Sequence, residues 1–177
     1  MQNQTWFGDY FLVEKIATGG MAEIHLAIKR DREQFRKLVA LKRIIPRRRE
    51  DELIRKMFYN EAGISSFFQH PNLVELYDVC LINEIPTMVM EFVDGVPLTD
   101  LVSRLAEKGR SFPRAAALKI IIESCDGLHH AHQLTDLRGK SLEIIHRDVS
   151  PQNIQISFKG QVKVLDFGVA RASESVS

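Results

Sequence analysis

The sequence is poor in cysteine, has no excess of either charge, and contains no long apolar run. Its two cysteines in 177 residues, Cys80 and Cys125, are too few for a disulfide framework and lack metal-ligand spacing. Lysine and arginine together number 24 against 23 acids, so no global positive field marks nucleic acid as the main partner. The most apolar run, AAALKIII at 115–122, is interrupted by Lys119 and falls far short of the roughly 20 residues that cross a bilayer. The opening stretch, MQNQTWFGDYF, shows none of the basic-then-apolar order of a signal peptide. These absences argue against a disulfide-stapled secreted module, a helical membrane span within this chain and a nucleic-acid binder, and they favour a reducing, cytoplasmic setting. A composition of 45% hydrophobic and 27% charged residues suits one globular domain or two small lobes.

The pattern along the chain changes near its middle. YFLVEKIA (10–17), EIHLAIK (23–29) and LVALKRII (38–45) alternate or cluster apolar residues as strands do, with Gly19 and Gly20 separating the first two. From Glu50 to about Gln69, Leu53, Ile54, Met57, Phe58, Ile64 and Phe68 recur at helical spacing, and Glu50, Asp51 and Glu52 suit the unpaired N–H groups of a first turn. NLVELYDVCLI and TMVMEFV read as two more strands, and EFVDGVPL as a crossing between lobes. A long helix is expected over 113–133, with Leu118, Ile121, Ile122, Cys125 and Leu128 on one face. Ala115, Ala117, Ile120 and Ala131 make the rest apolar too, so this helix wants burial on several sides.

The residue types that carry chemistry fall in the connections. In IATGGMAEIHLA (16–27) a glycine turn between strands lets backbone N–H groups approach an anion without a Cβ in the way, although a tight hairpin uses the same residues. VALK places Lys42 in an apolar strand, where a lone ammonium is costly; it needs an acid, and Glu61 on the following helix is suited to supply it. Further on, HRD at 146–148, Asn153 and LDFG at 165–168 follow in order.

Glycine turn, V-A-L-K, helical glutamate, H-R-D-x-x-x-x-N and D-F-G, in series, resemble a eukaryotic-like protein kinase. ATGGMAE, HRDVSPQN and KVLDFGVAR look most like bacterial members of the serine/threonine type. The resemblance implies an α+β fold: an upper lobe of five antiparallel strands and one helix over 1–93, then an incomplete, mainly helical lower lobe over 94–177. It implies ATP and Mg²⁺ as cofactors and a protein as substrate. Asp148 would take or orient the proton of the substrate hydroxyl, and Asn153 and Asp166 would hold the metal. Lys42, held by Glu61, would meet the α- and β-phosphates. Ala17, Gly19, Gly20 and Ala22 would form the loop over the phosphates. The backbone of Glu91 and Val93 would meet the adenine edge, Met90 would limit the pocket behind it, Ile24 and Ala40 would cover the ring, and Gln155 would lie beneath it. His146 and Phe167 resemble packing residues linking the catalytic loop to the glutamate helix, and Arg147 the arginine that pairs with a phosphorylated activation loop.

Four departures bear on activity. The loop keeps only Gly19 of three spaced glycines, with small alanines at Ala17 and Ala22. Ser150 stands where most serine/threonine kinases place a lysine facing the γ-phosphate; losing one charge-assisted hydrogen bond slows transfer roughly ten- to a hundredfold. Tyrosine kinases also lack that lysine. Gln155 replaces an apolar floor with an amide. The sequence ends soon after D-F-G, at Ser177, without the activation segment and helices that follow in the family, so the reading is a segment of a longer kinase. Two other functions stay open: a non-catalytic pseudokinase or remnant that binds nucleotide or a partner, and a small-molecule phosphotransferase of similar fold, against which HRD and DFG argue. The apolar 113–133 helix, short of burial partners, suggests self-association. HHAH (129–132) reads as the end of that helix and PRRRE (46–50) as a solvated approach to a helix. Ser173, Ser175 and Ser177 are candidate phosphorylation sites.

Overall fold

The computed structural model describes residues 5–30, 36–136 and 138–167; Gly168 and the three C-terminal serines singled out above lie outside them. The described residues up to Ser66 together with Glu75–Phe92 form one compact unit, and Phe67–Val74 together with those from Val93 onward form a second.

The first unit is an antiparallel sheet in the order β1-β2-β3-β4-β6-β5. Its strands are β1 (Thr5–Phe7), β2 (Tyr10–Thr18), β3 (Ala22–Arg30), β4 (Arg36–Ile44), β5 (Leu76–Ile82) and β6 (Ile85–Glu91). Six strands are present where five were expected. The addition is β1, which folds back so that Trp6 faces Phe11 in register, their rings 5.3 Å apart edge to face. Gly8 makes the turn at φ 58°, where a Cβ would come within 2.8 Å of Ile82, so this position is glycine for both conformation and space. A three-residue aromatic segment carries too short a periodicity to announce itself as a strand.

Period-two alternation divides β4 between two environments. Val39 and Leu41 enter a core with Phe7, Tyr10, Ala27, Ile82, Ile85 and Val89. Ile44, on the face shared with Ala40 and Lys42, packs with Met88 and with Ile54, Phe58 and Ala62 of α1 (Glu52–Ser65). Phe58 is fully buried, and removing such a ring from water contributes about 2–3 kcal/mol. Helix α1 starts later than periodicity suggests because Asp51, not Glu50, caps it: Asp51 Oδ1 accepts the N–H groups of Leu53 at 3.1 Å and Ile54 at 3.2 Å.

The second unit contains β7 (Gly95–Pro97), α2 (Leu98–Glu107), α3 (Arg114–His132), β8 (Ile154–Ser157) and β9 (Val162–Val164), with β7, β8 and β9 forming an antiparallel sheet. A turn of 3₁₀ helix, Pro151–Asn153, leads into β8. Helix α3 buries a different face from the one expected: Ile120, Ser124, Gly127 and Ala131 are buried, whereas Leu118, Ile121 and Ile122 are 58–60% exposed and Cys125 is exposed. Small residues decide this. A Cβ on Gly127 would lie 3.1 Å from the Asn72 carbonyl oxygen, so the helix approaches the 67–74 segment through its glycine, and the bulky aliphatic stripe turns away. No helix among the described residues is long and apolar enough to cross a membrane.

Candidate active site

In the first unit the sheet register gathers the predicted nucleotide residues. Ile24 pairs with Lys42, and Ala40 with Met90, while Ala17 opposes Ile24 from β2, so all share one face. Lys42 and Glu61 are 6% and 5% exposed, and Lys42 Nζ lies 2.5 Å from Glu61 Oε1. A buried ammonium is thereby paired rather than orphaned, and α1 is tied to β4. The β2–β3 turn is closed by Gly19 N–H donating to the Ala22 carbonyl at 2.8 Å. The N–H groups of Gly20 and Met21 have no hydrogen-bond partner among the described residues, and nothing lies within 4 Å of where a Gly20 Cβ would be. Two open N–H donors in a turn free of side-chain bulk suit an anion's oxygens. Ala22 is buried.

The second unit holds the acid and the amide in one hydrogen-bonded arrangement, to which the residue before the D-F-G aspartate is joined. Asn153 Nδ2 donates to the Asp148 backbone carbonyl at 2.8 Å and to Asp148 Oδ2 at 3.1 Å. Leu165 N–H donates to the Asn153 carbonyl at 2.8 Å, bringing the residue before Asp166 onto the same loop. His146, 1% exposed, donates from Nε2 to the Leu165 carbonyl at 2.8 Å and accepts the Asp148 N–H at Nδ1, 3.2 Å away. That pair of bonds selects the neutral Nε2–H tautomer and makes His146 a pin for the loop. Phe167 packs against His146 at 4.6 Å and against Phe68 at 4.4 Å between ring centroids. Gln155 Nε2 donates to the Val93 carbonyl at 3.3 Å. Among the described residues the Ser150 hydroxyl oxygen is shielded from solvent and has no hydrogen-bond partner, while its backbone carbonyl accepts Asn153 N–H at 2.9 Å.

Two features were not readable beforehand. Arg147 at φ 62° and Asp166 at φ 39° occupy the left-handed region without being glycine. Such strain, about 1–3 kcal/mol each, gathers where a fixed side-chain direction is needed. The 67–74 segment, read from sequence as the end of the helical stripe at Phe68 and, from Asn72, the start of the NLVELYDVCLI strand, precedes β5, which begins at Leu76, and is bolted to β9: Asn72 Nδ2 donates to the Val162 carbonyl at 2.9 Å, and buried Lys163 Nζ to the Leu73 carbonyl at 3.1 Å.

The oxygen chemistry fits a hard divalent cation. With Asn153 Nδ2 committed to Asp148, its amide oxygen remains as an acceptor, and Asp166 supplies a carboxylate from the adjoining motif. Among the described residues no group of three or more His, Cys, Asp or Glu could hold a metal.

A family model described as protein kinase domain matches residues 10–177. The tyrosine-protein kinase MasK of Myxococcus xanthus is 36% identical over 94% of this chain and 26% of its own length. The serine/threonine-protein kinase PknB of Mycobacterium tuberculosis is 39% identical over 92% of this chain and 24% of its own length. The chain thus spans about a quarter of these curated relatives. The crystal structure of the Mycobacterium tuberculosis PknI kinase domain superposes with a TM-score of 0.68 at 25% identity, covering 96% of this chain and 63% of that one.

Proposed function

The chain belongs to the protein kinase family, and from that membership we propose that it is the catalytic segment of a protein kinase passing the γ-phosphate of ATP to serine or threonine hydroxyls of a protein. The observation that carries the proposal is the double hydrogen bond from Asn153 to Asp148. It fixes the carboxylate that takes or orients the hydroxyl proton, and it leaves the amide oxygen for a metal. Lys42, aligned by Glu61, meets the α- and β-phosphates, and the open N–H groups of the β2–β3 turn meet phosphate oxygens. Glu91 and Val93 bind the base edge with their backbone, Met90 bounds the space behind it, and Ile24 and Ala40 cover the ring. Mg²⁺ held by Asn153 and Asp166 would offset the charge of the phosphates. Arg147 is proposed to pair with a phosphorylated activation loop. The free thiols of Cys80 and Cys125 accord with the cytoplasm as the setting.

Ser150 favours a second reading of the acceptor. No cation stands at that position, so proton removal from the nucleophile has less help from γ-phosphate neutralisation; a phenol, with a pKa of about 10, is easier to activate than an aliphatic alcohol. One relative is itself named a tyrosine kinase. Parallel serine, threonine and tyrosine acceptor peptides decide between the two.

The metal assignment is tested with Asp166→Asn in the full-length protein. Titration of a fluorescent ATP analogue with and without Mg²⁺ is expected to show Mg-enhanced binding in the wild type and its loss in the variant, at least about tenfold in affinity. Undiminished Mg-dependent binding in the variant would remove Asp166 from the metal site. Mg-dependent binding without transfer to any acceptor by the full-length protein would favour the pseudokinase reading.

A further inference from the structure

Glu23 stands on the face of the first unit's sheet opposite to Lys42, because its neighbour Ile24 is the residue that pairs with Lys42. It is also where the β2–β3 turn leaves the sheet, with Thr18 of β2 in register on one side and Arg43 of β4 on the other. Arg43 Nε donates to Glu23 Oε1 at 2.8 Å, and Arg43 Nη2 lies at the same distance from that oxygen. His25 Nε2 is 3.3 Å from Oε1 and Lys15 Nζ 3.9 Å from Oε2. The Glu23 and Arg43 side chains are 12% and 15% exposed and that of Lys15 is 48% exposed, so the Arg43 link is the shielded one and Lys15 adds little. Burial alone would raise the pKa of the Glu23 carboxyl, but the hydrogen bond and charge of Arg43 hold it below the ordinary value, so the link is ionic. The Arg43 guanidinium lies in turn over the buried Phe7 ring, 4.6 Å from its centroid.

We infer that Glu23 is a positioning residue for phosphate binding: by holding Arg43 across the base of the β2–β3 turn, on the face away from Lys42, it sets the direction in which the turn leaves the sheet and so where the Gly20 and Met21 N–H groups point. This rests on the kinase reading above. Between Gly19 and Ala22 the turn is held by few other bonds: Gly19 N–H donates to the Ala22 carbonyl at 2.8 Å, and Ile45 N–H to the Met21 carbonyl at 3.0 Å. The second of these ties the turn to β4 just beyond Arg43, so the side-chain link and the backbone bond brace it from the same strand. Two glycines give the turn room but no stiffness. Backbone donors stabilise an anion most when they need no reorganisation to meet it. The planar fork of Arg43 fixes the carboxylate through two nitrogens, where a lysine would offer one mobile charge. Glu23 acts through the backbone of Met21 and Ala22, without touching a phosphate itself.

The experiment compares wild type with Glu23→Gln, Arg43→Lys and the double variant in the full-length protein. A fluorescent ADP analogue is displaced by ATP or by adenosine in the presence of Mg²⁺. Adenosine has no phosphates, so the ratio of adenosine to ATP dissociation constants isolates what the turn contributes. That ratio is expected to fall about tenfold in each single variant, with adenosine affinity unchanged, and no further in the double variant, because both changes break one link. Arg43→Lys keeps the charge and loses the fork, so it reports the link if Glu23→Gln disturbs folding. Equal weakening of ATP and adenosine would reveal a merely structural role and overturn the inference. So would additive losses in the double variant. An unchanged ratio in a folded variant, alongside Mg-dependent ATP binding by the wild type, overturns the role of Glu23 and leaves the kinase reading standing. Failure of the wild type to bind ATP overturns both.

Discussion

Lys42 and Ser150 are the residues where the energetics of the site are plainest. Lys42 keeps its ammonium buried with the Glu61 carboxylate beside it, and removing one partner of a buried pair typically costs about 3–5 kcal/mol. The sequence permits that argument: a lysine in a buried strand needs an acid, and the helix that follows offers one in its middle. Ser150 is the reverse case, a position lacking a charge that would help. A lysine there would add a charge-assisted hydrogen bond to the γ-phosphate. Ser150→Lys is therefore expected to raise the turnover rate on serine or threonine peptides by about tenfold. Steady-state kinetics on full-length protein check this. An unchanged or lower rate with ATP affinity preserved would show that the loop is organised around serine. The left-handed backbones of Arg147 and Asp166 lay beyond sequence reasoning, because either residue type adopts ordinary conformations in most contexts and only the surrounding hydrogen bonds impose this one.

At the scale of elements, long alternating segments could be read and close approaches could not. Strands β2, β3 and β4 followed from alternation, and α1 from its apolar spacing, with Asp51 resetting its start. β1 is three residues long, and α3 is apolar on almost every side, so neither pattern chose the outcome. What oriented α3 was Gly127 against Asn72, a matter of backbone proximity that composition does not reveal. Gly95 is the analogous device for β7. A methyl group there would meet the Ile156 carbonyl oxygen at 2.1 Å and the Ser157 Cα at 2.5 Å, backbone atoms that cannot swing aside. Gly95→Ala is expected to destabilise the protein by about 1–3 kcal/mol and to lower its melting temperature by about 5 °C. Thermal unfolding followed by circular dichroism measures it, and a melting temperature within one degree of wild type would mean that β7 and β8 are less tightly apposed than described.

At the scale of the whole molecule, each of the two units holds a share of the proposed site residues, organised within itself. The first presents the Lys42–Glu61 pair and a turn with open N–H donors. The second presents Asp148 and Asn153 on one loop, with Asp166 on the segment bonded to it. The ordered motifs were legible because phosphoryl transfer demands particular donors and acceptors in series. The assignment of residues 67–74 to the second unit was not, since the anchors Asn72 and Lys163 become partners only after the chain has folded back. The central claim is that this arrangement performs transfer through Asp148. The measurement that addresses it most directly is phosphate transfer from labelled ATP to a protein acceptor by the full-length protein, wild type against Asp148→Asn. The account predicts transfer by the wild type, at least about a hundredfold less by the variant, and retained Mg-dependent ATP binding in both. Transfer at the wild-type rate by Asp148→Asn would contradict it.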